Sequence, residues 1–116
     1  MSKKFSVLRI YFEFGKKVET HGFWKKMWHS SLKEYLLKKA KESDIKQALY
    51  FEAKSGYLNF EDIKNHHSEV PHMHHPICLE LIDTDEKIKE FLETNRETLN
   101  GVKAIIINRD SEIFFH

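Results

Sequence analysis

The chain has 116 residues, 41% hydrophobic and 32% charged, which is the balance of one globular domain with a single core. Nineteen Lys and Arg residues against 18 Asp and Glu leave a formal charge of +1, so no overall field would concentrate nucleic acid or an anionic membrane. The single cysteine cannot form an internal disulfide, and the N-terminus lacks the apolar core of a signal peptide. No stretch approaches the roughly 20 apolar residues that span a bilayer. We therefore expect a cytoplasmic protein without membrane insertion.

The first half of the chain predicts a strand, a helix and a second strand. β-Branched and aromatic residues are frequent over residues 5–14, with the period-2 pattern of a strand. Apolar residues three and four positions apart over 31–42 predict an amphipathic helix, which Ser30 or Ser31 is placed to cap. A second strand is predicted over 45–54.

The second half repeats this order after a long polar segment. Residues 75–83 predict a third strand, and Asp83 with Glu86 three residues later predicts a capping box for a second helix. The buried stripe of that helix is predicted to be Ile88, Phe91 and Leu92. Residues 102–108 predict a fourth strand with apolar bulk on both faces.

The element order βαββαβ predicts an α+β fold, a ferredoxin-like sandwich formed by residues 1–116 as a single domain. Two helices with one apolar stripe each must cover one face of a four-stranded antiparallel sheet. The second face keeps apolar side chains that water covers poorly, among them Val7, Tyr11, Tyr50 and Ile82. We therefore expect an oligomer that buries this second face.

An ion pair is expected on the same face. If strands one and three are neighbours, Arg9 and Glu80 both point to the second face and can pair there. Inside an oligomer such a pair sets registration more than stability, since desolvation offsets much of its attraction. With Tyr11, these two residues form the predicted interface.

Three stretches of the sequence resemble one family. Residues 8–11 (LRIY) are similar to its opening strand, Trp28-His29 to its lead-in to the first helix, and residues 76–92 (PICLELIDTDEKIKEFL) to its third strand and second helix. The family is the PII-like signalling proteins, long catalogued as a domain of unknown function within the nitrogen-regulatory PII superfamily. The resemblance implies a homotrimer with ligand clefts between subunits. It also implies a long loop over residues 56–74, between strands two and three, that reports ligand occupancy, and we expect this loop to contact a partner protein such as an enzyme or a transporter.

The resemblance also assigns residues to the ligand cleft, namely Trp28, His29, Glu52, Gly56 and Tyr57. Three positions depart from the family, because its Arg-Gly pair before the loop is Glu52-Ala53 here and its Gly after Trp-His is Ser30. A nucleotide phosphate would meet a carboxylate where the family has an arginine. An adenine nucleotide in the inter-subunit clefts is therefore the alternative ligand, and not the first one.

Histidines are concentrated at the end of the predicted loop. Five of the eight lie within the ten residues HHSEVPHMHH, as His66, His67, His72, His74 and His75. Neutral imidazole is the commonest metal-binding side chain, and His72 and His74 would project to the same side of an extended segment. Nearby Met73 makes the segment typical of a site for zinc, copper or nickel. The alternatives are a polar loop in which histidines recur, and a surface whose histidines become charged together near about pH 6.

No enzyme motif accompanies these residues, since GxSxG, HExxH, P-loop and GxGxxG sequences are all missing. An RNA-binding sandwich of the RRM type shares the element order and would stack bases on Tyr11 and Tyr50, but the third strand lacks the RNP1 pattern. A regulatory binding protein explains more of the sequence. We expect a non-enzymatic, PII-like protein without nucleic acid partners, whose long loop responds to a small ligand, first a metal ion on the loop histidines.

Overall fold

A four-stranded antiparallel sheet with two helices on one face organises the fold. The computed structural model describes residues 4–17, 31–65 and 73–111, the last four of them by their backbone alone. In chain order the elements are β1 (Phe5–Glu13), α1 (Leu32–Glu42), β2 (Gln47–Glu52), β3 (Ser55–Gly56), β4 (Lys64–Asn65), β5 (Pro76–Thr84), α2 (Asp85–Thr94) and β6 (Lys103–Ser111). The strand order β2-β5-β1-β6 confirms the predicted ferredoxin-like fold, with β3 and β4 as a separate small hairpin.

The sheet has one face that the helices cover and one open face, and the strand register shows which residues lie on each. Leu8 stands opposite Leu81 on the covered face, whereas the next residue, Arg9, stands opposite Glu80 on the open face. The buried core comprises Leu8, Ile10, Phe12, Leu32, Leu36, Ala40, Ile45, Ile77, Leu79, Leu81, Ile88, Phe91 and Leu99. Side chains of strands and of both helices thus meet in one layer, since each helix has a single apolar stripe to bury.

The sequence pattern predicts the N-cap of α1 correctly and the N-cap of α2 wrongly. Ser31 caps α1, and its hydroxyl accepts a hydrogen bond from the Glu34 N–H at 3.2 Å. The predicted capping box led by Asp83 is wrong, because β5 continues to Thr84 and the Thr84 hydroxyl accepts from the Lys87 N–H at 3.3 Å. Asp83 instead points into the covered face, where its side chain is almost fully buried.

Tyr50 lies on the covered face, and the prediction that it belongs to the second face is wrong. In the β2–β5 register Tyr50 stands opposite core residue Leu79, and the Lys33 ammonium lies 4.5 Å from the centre of its ring. Leu49 and Phe51 take the open face instead. The RRM-type alternative therefore loses one of its two stacking residues, because Tyr50 is not on the face with Tyr11.

The connection between β2 and β5 contains local structure that the sequence pattern did not predict. Ser55 pairs with Asn65 and Gly56 with Lys64, so the first half of the predicted loop is a short hairpin. Residues 66–72 lie outside the described part of the chain. Within the described residues, no helix is long and apolar enough to cross a membrane.

Candidate functional site

The end of β1 and the residues that precede β5 are held in close contact. The Gly15 N–H donates to the Met73 carbonyl at 2.7 Å, and the Phe14 N–H donates to the His75 carbonyl at 2.8 Å. A Cβ atom on Gly15 would lie 2.8 Å from Met73 Cβ and 2.9 Å from its carbonyl oxygen, which is closer than real Cβ atoms approach. Glycine is needed here because the two backbones touch, and the end of the histidine segment is fixed to the sheet.

The last two histidines of that segment have different environments. His74 is exposed, and its Nδ1 lies 2.7 Å from the Glu13 carboxylate. His75 is fully buried, and its Nε2–H donates to the Ala53 carbonyl. His66, His67 and His72 lie outside the described residues, and among the described side chains no three of His, Cys, Asp or Glu come together as a metal-binding group. The predicted metal site therefore stays a prediction.

A cavity of about 580 Å³, here called the loop-base cavity, lies beside His74. Its walls are the end of β1, the turn at residues 58–61, residues 73–74, and residues 101–103 at the start of β6. Its charged lining residues are Glu13, Lys16, Lys17, Glu61 and Lys103, together with titratable His74. The volume is in the range of about 300–1,000 Å³ that small-molecule sites occupy. The three lysines against two glutamates leave the lining with a formal charge of +1.

A second cavity of about 250 Å³, here called the aromatic cavity, adjoins the first. Both cavities include Tyr11 and Leu58 in their walls. The aromatic cavity is further lined by the rings of Phe51 and Tyr57 and by the half-buried thiol of Cys78. Burial raises the pKa of the Cys78 thiol, which keeps it neutral at physiological pH. This cavity suits a flat apolar group.

Three of the five predicted cleft residues come together in the aromatic cavity, namely Glu52, Gly56 and Tyr57. Trp28 and His29 lie outside the described residues. The Glu52 carboxylate accepts a hydrogen bond from the Tyr50 hydroxyl at 2.6 Å. Sequence reasoning missed Lys16, Lys17 and Lys103 as a group, because only the antiparallel pairing of β1 with β6 brings these distant segments together.

The open face carries the predicted interface residues. Arg9 Nε lies 3.0 Å from Glu80 Oε2, so the expected pair is confirmed, and Tyr11 follows on the same face. Hydrogen bonds to Tyr11 and Glu80 raise the pKa of Arg9. The most exposed apolar side chains of this face lie at its two edges, Leu49 and Phe51 on β2 and Ile105 and Ile107 on β6.

Solved structures of similar shape place this architecture among PII-like and CutA-like ferredoxin-type proteins. A protein of Thermus thermophilus named as a PII-like signaling protein has a TM-score of 0.54 and 18% identity, covering 92% of this chain and 87% of that chain. CPII, a nitrogen regulatory PII-like protein of Thiomonas intermedia bound to ADP, AMP and bicarbonate, has a TM-score of 0.52 and 15% identity, covering 95% and 92%. The divalent ion tolerance protein CutA1 of Ehrlichia chaffeensis has a TM-score of 0.52 and 13% identity, covering 97% and 88%. At these identities the likeness concerns the fold alone.

Sequence similarity defines the family more closely. The chain belongs to the DUF190/UPF0166 family, because the family model DUF190 (Uncharacterized ACR, COG1993) matches residues 5–113. The UPF0166 protein of Aquifex aeolicus is 32% identical over 112 residues, which cover 97% of this chain and 95% of that protein. The predicted membership of a domain-of-unknown-function family is thereby confirmed, and the solved structures confirm the likeness to PII-like proteins in fold.

Proposed function

We propose that this protein is a PII-like regulatory binding protein, and not an enzyme, whose loop over residues 56–74 responds to a small ligand held at its base. The loop-base cavity carries the proposal, because Leu58, Asn59 and Glu61 form one wall while the sheet forms the others. A ligand in this cavity contacts the sheet and the loop together. Different affinities for two loop conformations then suffice to make the loop report occupancy to a partner protein, such as an enzyme or a transporter.

The first ligand that we propose is a zinc, copper or nickel ion bound by the loop histidines. His74 supports this proposal because its side chain is 61% exposed and lies beside the Glu13 carboxylate, a group that also binds metals. The further ligands that we propose are His66, His67 and His72. His75 is engaged with the Ala53 carbonyl in a buried position, so its role in the proposal is to anchor the segment.

A second candidate ligand is an adenine nucleotide, which the adjoining cavities favour. The aromatic cavity suits a base, and the lysines of the loop-base cavity suit phosphate groups. Glu52 is the residue whose charge makes the nucleotide the second candidate. Its side chain lines the aromatic cavity and accepts a hydrogen bond from the Tyr50 hydroxyl, and it is not part of the wall of the loop-base cavity. The ADP and AMP bound by CPII support the same candidate.

We propose that the protein assembles as a homotrimer through its open face. The apolar side chains at the edges of that face are 41–48% exposed, and water covers such a surface poorly. Contact between the β2 edge of one subunit and the β6 edge of the next would be heterologous, and such contacts form a ring when the rotation between subunits closes. Arg9 and Glu80, at the centre of the face, would set the registration of the subunits.

Ligand titration under native mass spectrometry, combined with hydrogen exchange, tests the proposal. The purified protein is titrated with Zn²⁺, Cu²⁺, Ni²⁺, ADP, AMP and bicarbonate. We expect trimers that bind one ligand per subunit and exchange the amides of residues 57–65 more slowly when occupied. A ligand that binds without changing this exchange would contradict the loop response.

Matched variants separate the two ligand classes. We expect His74→Ala to weaken metal binding and Lys103→Ala to weaken nucleotide binding, because each removes a group that faces the loop-base cavity. His116→Ala, outside the histidine segment, and Lys89→Ala, on α2, are the controls. Unchanged metal affinity in His74→Ala would contradict the metal proposal, and unchanged nucleotide affinity in Lys103→Ala would contradict the second candidate.

A further inference from the structure

The turn at residues 58–61 has an unusual backbone. The Glu61 N–H donates to the Leu58 carbonyl at 3.0 Å, and the two central residues, Asn59 and Phe60, have φ values of 50° and 64°. Positive φ at both central positions is the pattern of a type I′ turn, in which glycine and asparagine are favoured. Asn59 suits its position, but a bulky aromatic residue in the left-handed region is strained. Strain of this kind points to a role for the side chain.

The strained turn presents apolar side chains to solvent. Phe60 is fully exposed, and Ile63 is 66% exposed. Glu61 and Asp62 between them are also exposed, and no lysine or arginine occurs from residue 55 to residue 63. We call residues 60–63 the acidic tip. It combines two apolar groups with two carboxylates on one short segment.

The same turn faces the ligand site on its other side. Leu58, Asn59 and Glu61 line the loop-base cavity, whereas Phe60 and Ile63 project outward. A ligand that shifts Leu58, Asn59 or Glu61 acts directly on Phe60, because a hydrogen bond closes residues 58–61 into one turn. The acidic tip is therefore placed to display the state of the cavity.

We propose that the acidic tip docks into an apolar pocket of another protein, and that lysine or arginine residues border this pocket. Phe60 and Ile63 would fill the pocket, and Asp62 between them would face its basic rim, as charge complementarity requires. The inference rests on the proposed function, since it names the partner surface that the responsive loop recognises. A second copy of this chain fits less well, because Arg9 on its apolar open face is already paired with Glu80.

Crosslinking at the tip, followed by binding measurements with purified proteins, tests this inference. p-Benzoylphenylalanine in place of Phe60 is photoactivated in the source cells, and the crosslinked protein is identified and purified. We expect the wild-type chain to bind it directly, Phe60→Ala to weaken binding at least about tenfold, and Asp62→Lys to weaken it similarly. Affinity should also fall as salt is raised. The control is Glu90→Lys, which reverses one exposed charge on α2.

Three results would overturn the inference: no crosslinked protein, crosslinks only to another copy of this chain, or a partner whose affinity ignores both tip variants. Native mass spectrometry of each variant shows that the fold and assembly are retained. Partner binding measured with and without Zn²⁺ or ADP separates the two proposals. If the partner binds through the acidic tip but neither ligand changes its affinity, the proposed loop response is contradicted and the proposed docking surface is retained.

Discussion

The carboxylate of Asp83 accepts a hydrogen bond from the Lys46 backbone N–H across 2.6 Å, which fastens the end of β5 to the turn between α1 and β2. The other carboxylate oxygen accepts from the Thr84 N–H at 2.6 Å. Only 7% of the Asp83 side chain is exposed, so water cannot replace these bonds. A single side chain thus ties the helical layer to the sheet.

We expect Asp83→Ala to lower the free energy of unfolding by about 3 kcal/mol, because hydrogen bonds to charged groups contribute about 1.5–3 kcal/mol each. Asp62→Ala removes an exposed carboxylate and should change it by less than about 0.5 kcal/mol. Urea unfolding of both variants measures the difference. Equal stabilities would show that Asp83 does not hold the two layers together.

Gly15→Ala should destabilise the protein by about 1–3 kcal/mol, because the added methyl group meets the Met73 backbone. The control is Gly101→Ala, where nothing lies within 4 Å of the added atom and only the φ of 82° is unfavourable. Hydrogen exchange of the Phe14 amide distinguishes the two variants. We expect faster exchange only in Gly15→Ala, and protected exchange there would refute the close contact.

Arg9→Met should dissociate the proposed trimer, because it leaves the Glu80 carboxylate unpaired within an interface. Replacing both residues, Arg9→Met with Glu80→Met, should restore assembly, since no charge is then buried. Arg96→Met is the control, as Arg96 just beyond α2 pairs at 2.7 Å with Glu93 and both side chains are exposed. Sedimentation velocity of the three variants measures the assembly state. A trimer that survives Arg9→Met would place this pair outside the interface.

Phe60→Gly should raise the free energy of unfolding by about 1 kcal/mol relative to Phe60→Ala, because glycine adopts positive φ without a steric penalty. Both substitutions remove the ring, so the comparison isolates the backbone. Thermal unfolding of the pair measures it. If the alanine variant were as stable as the glycine variant, the turn would carry no strain.

Cys78 should react slowly with iodoacetamide at about pH 8, because the thiolate is the reactive form and burial raises the pKa of this thiol. The rate should rise at more alkaline pH and on unfolding in urea. A nucleotide base in the aromatic cavity should slow the reaction further, since Cys78 lines that cavity. ADP binding that leaves the rate unchanged would place the base elsewhere.

The order of the two helices and the four strands of the main sheet, the open face and the Arg9–Glu80 pair could be predicted from the sequence, because in β1 and β5 one face is far more apolar than the other. The face of the sheet on which Tyr50 lies could not be predicted. In β2 both sets of alternate residues are largely apolar, Leu49 and Phe51 on one side and Ala48 and Tyr50 on the other, so only pairing with β5 decides the face.

The cap of α2 and the loop-base cavity could not be predicted either, because both depend on how the strands pair. Asp83 and Thr84 are both good N-cap residues, and the length of β5 decides which of them caps α2. The loop-base cavity joins Lys16 and Lys103, which are far apart in the chain and meet only through the β1–β6 register. No local pattern carries that information.

Tyr11 belongs at once to the loop-base cavity, the aromatic cavity and the open face. A side chain shared in this way would link ligand binding to the proposed subunit association, so each would change the other by the same factor. We therefore expect the apparent ligand affinity to change when the protein is diluted below the concentration at which the proposed trimer assembles. Cellular abundance of the protein would then set the ligand concentration to which it responds.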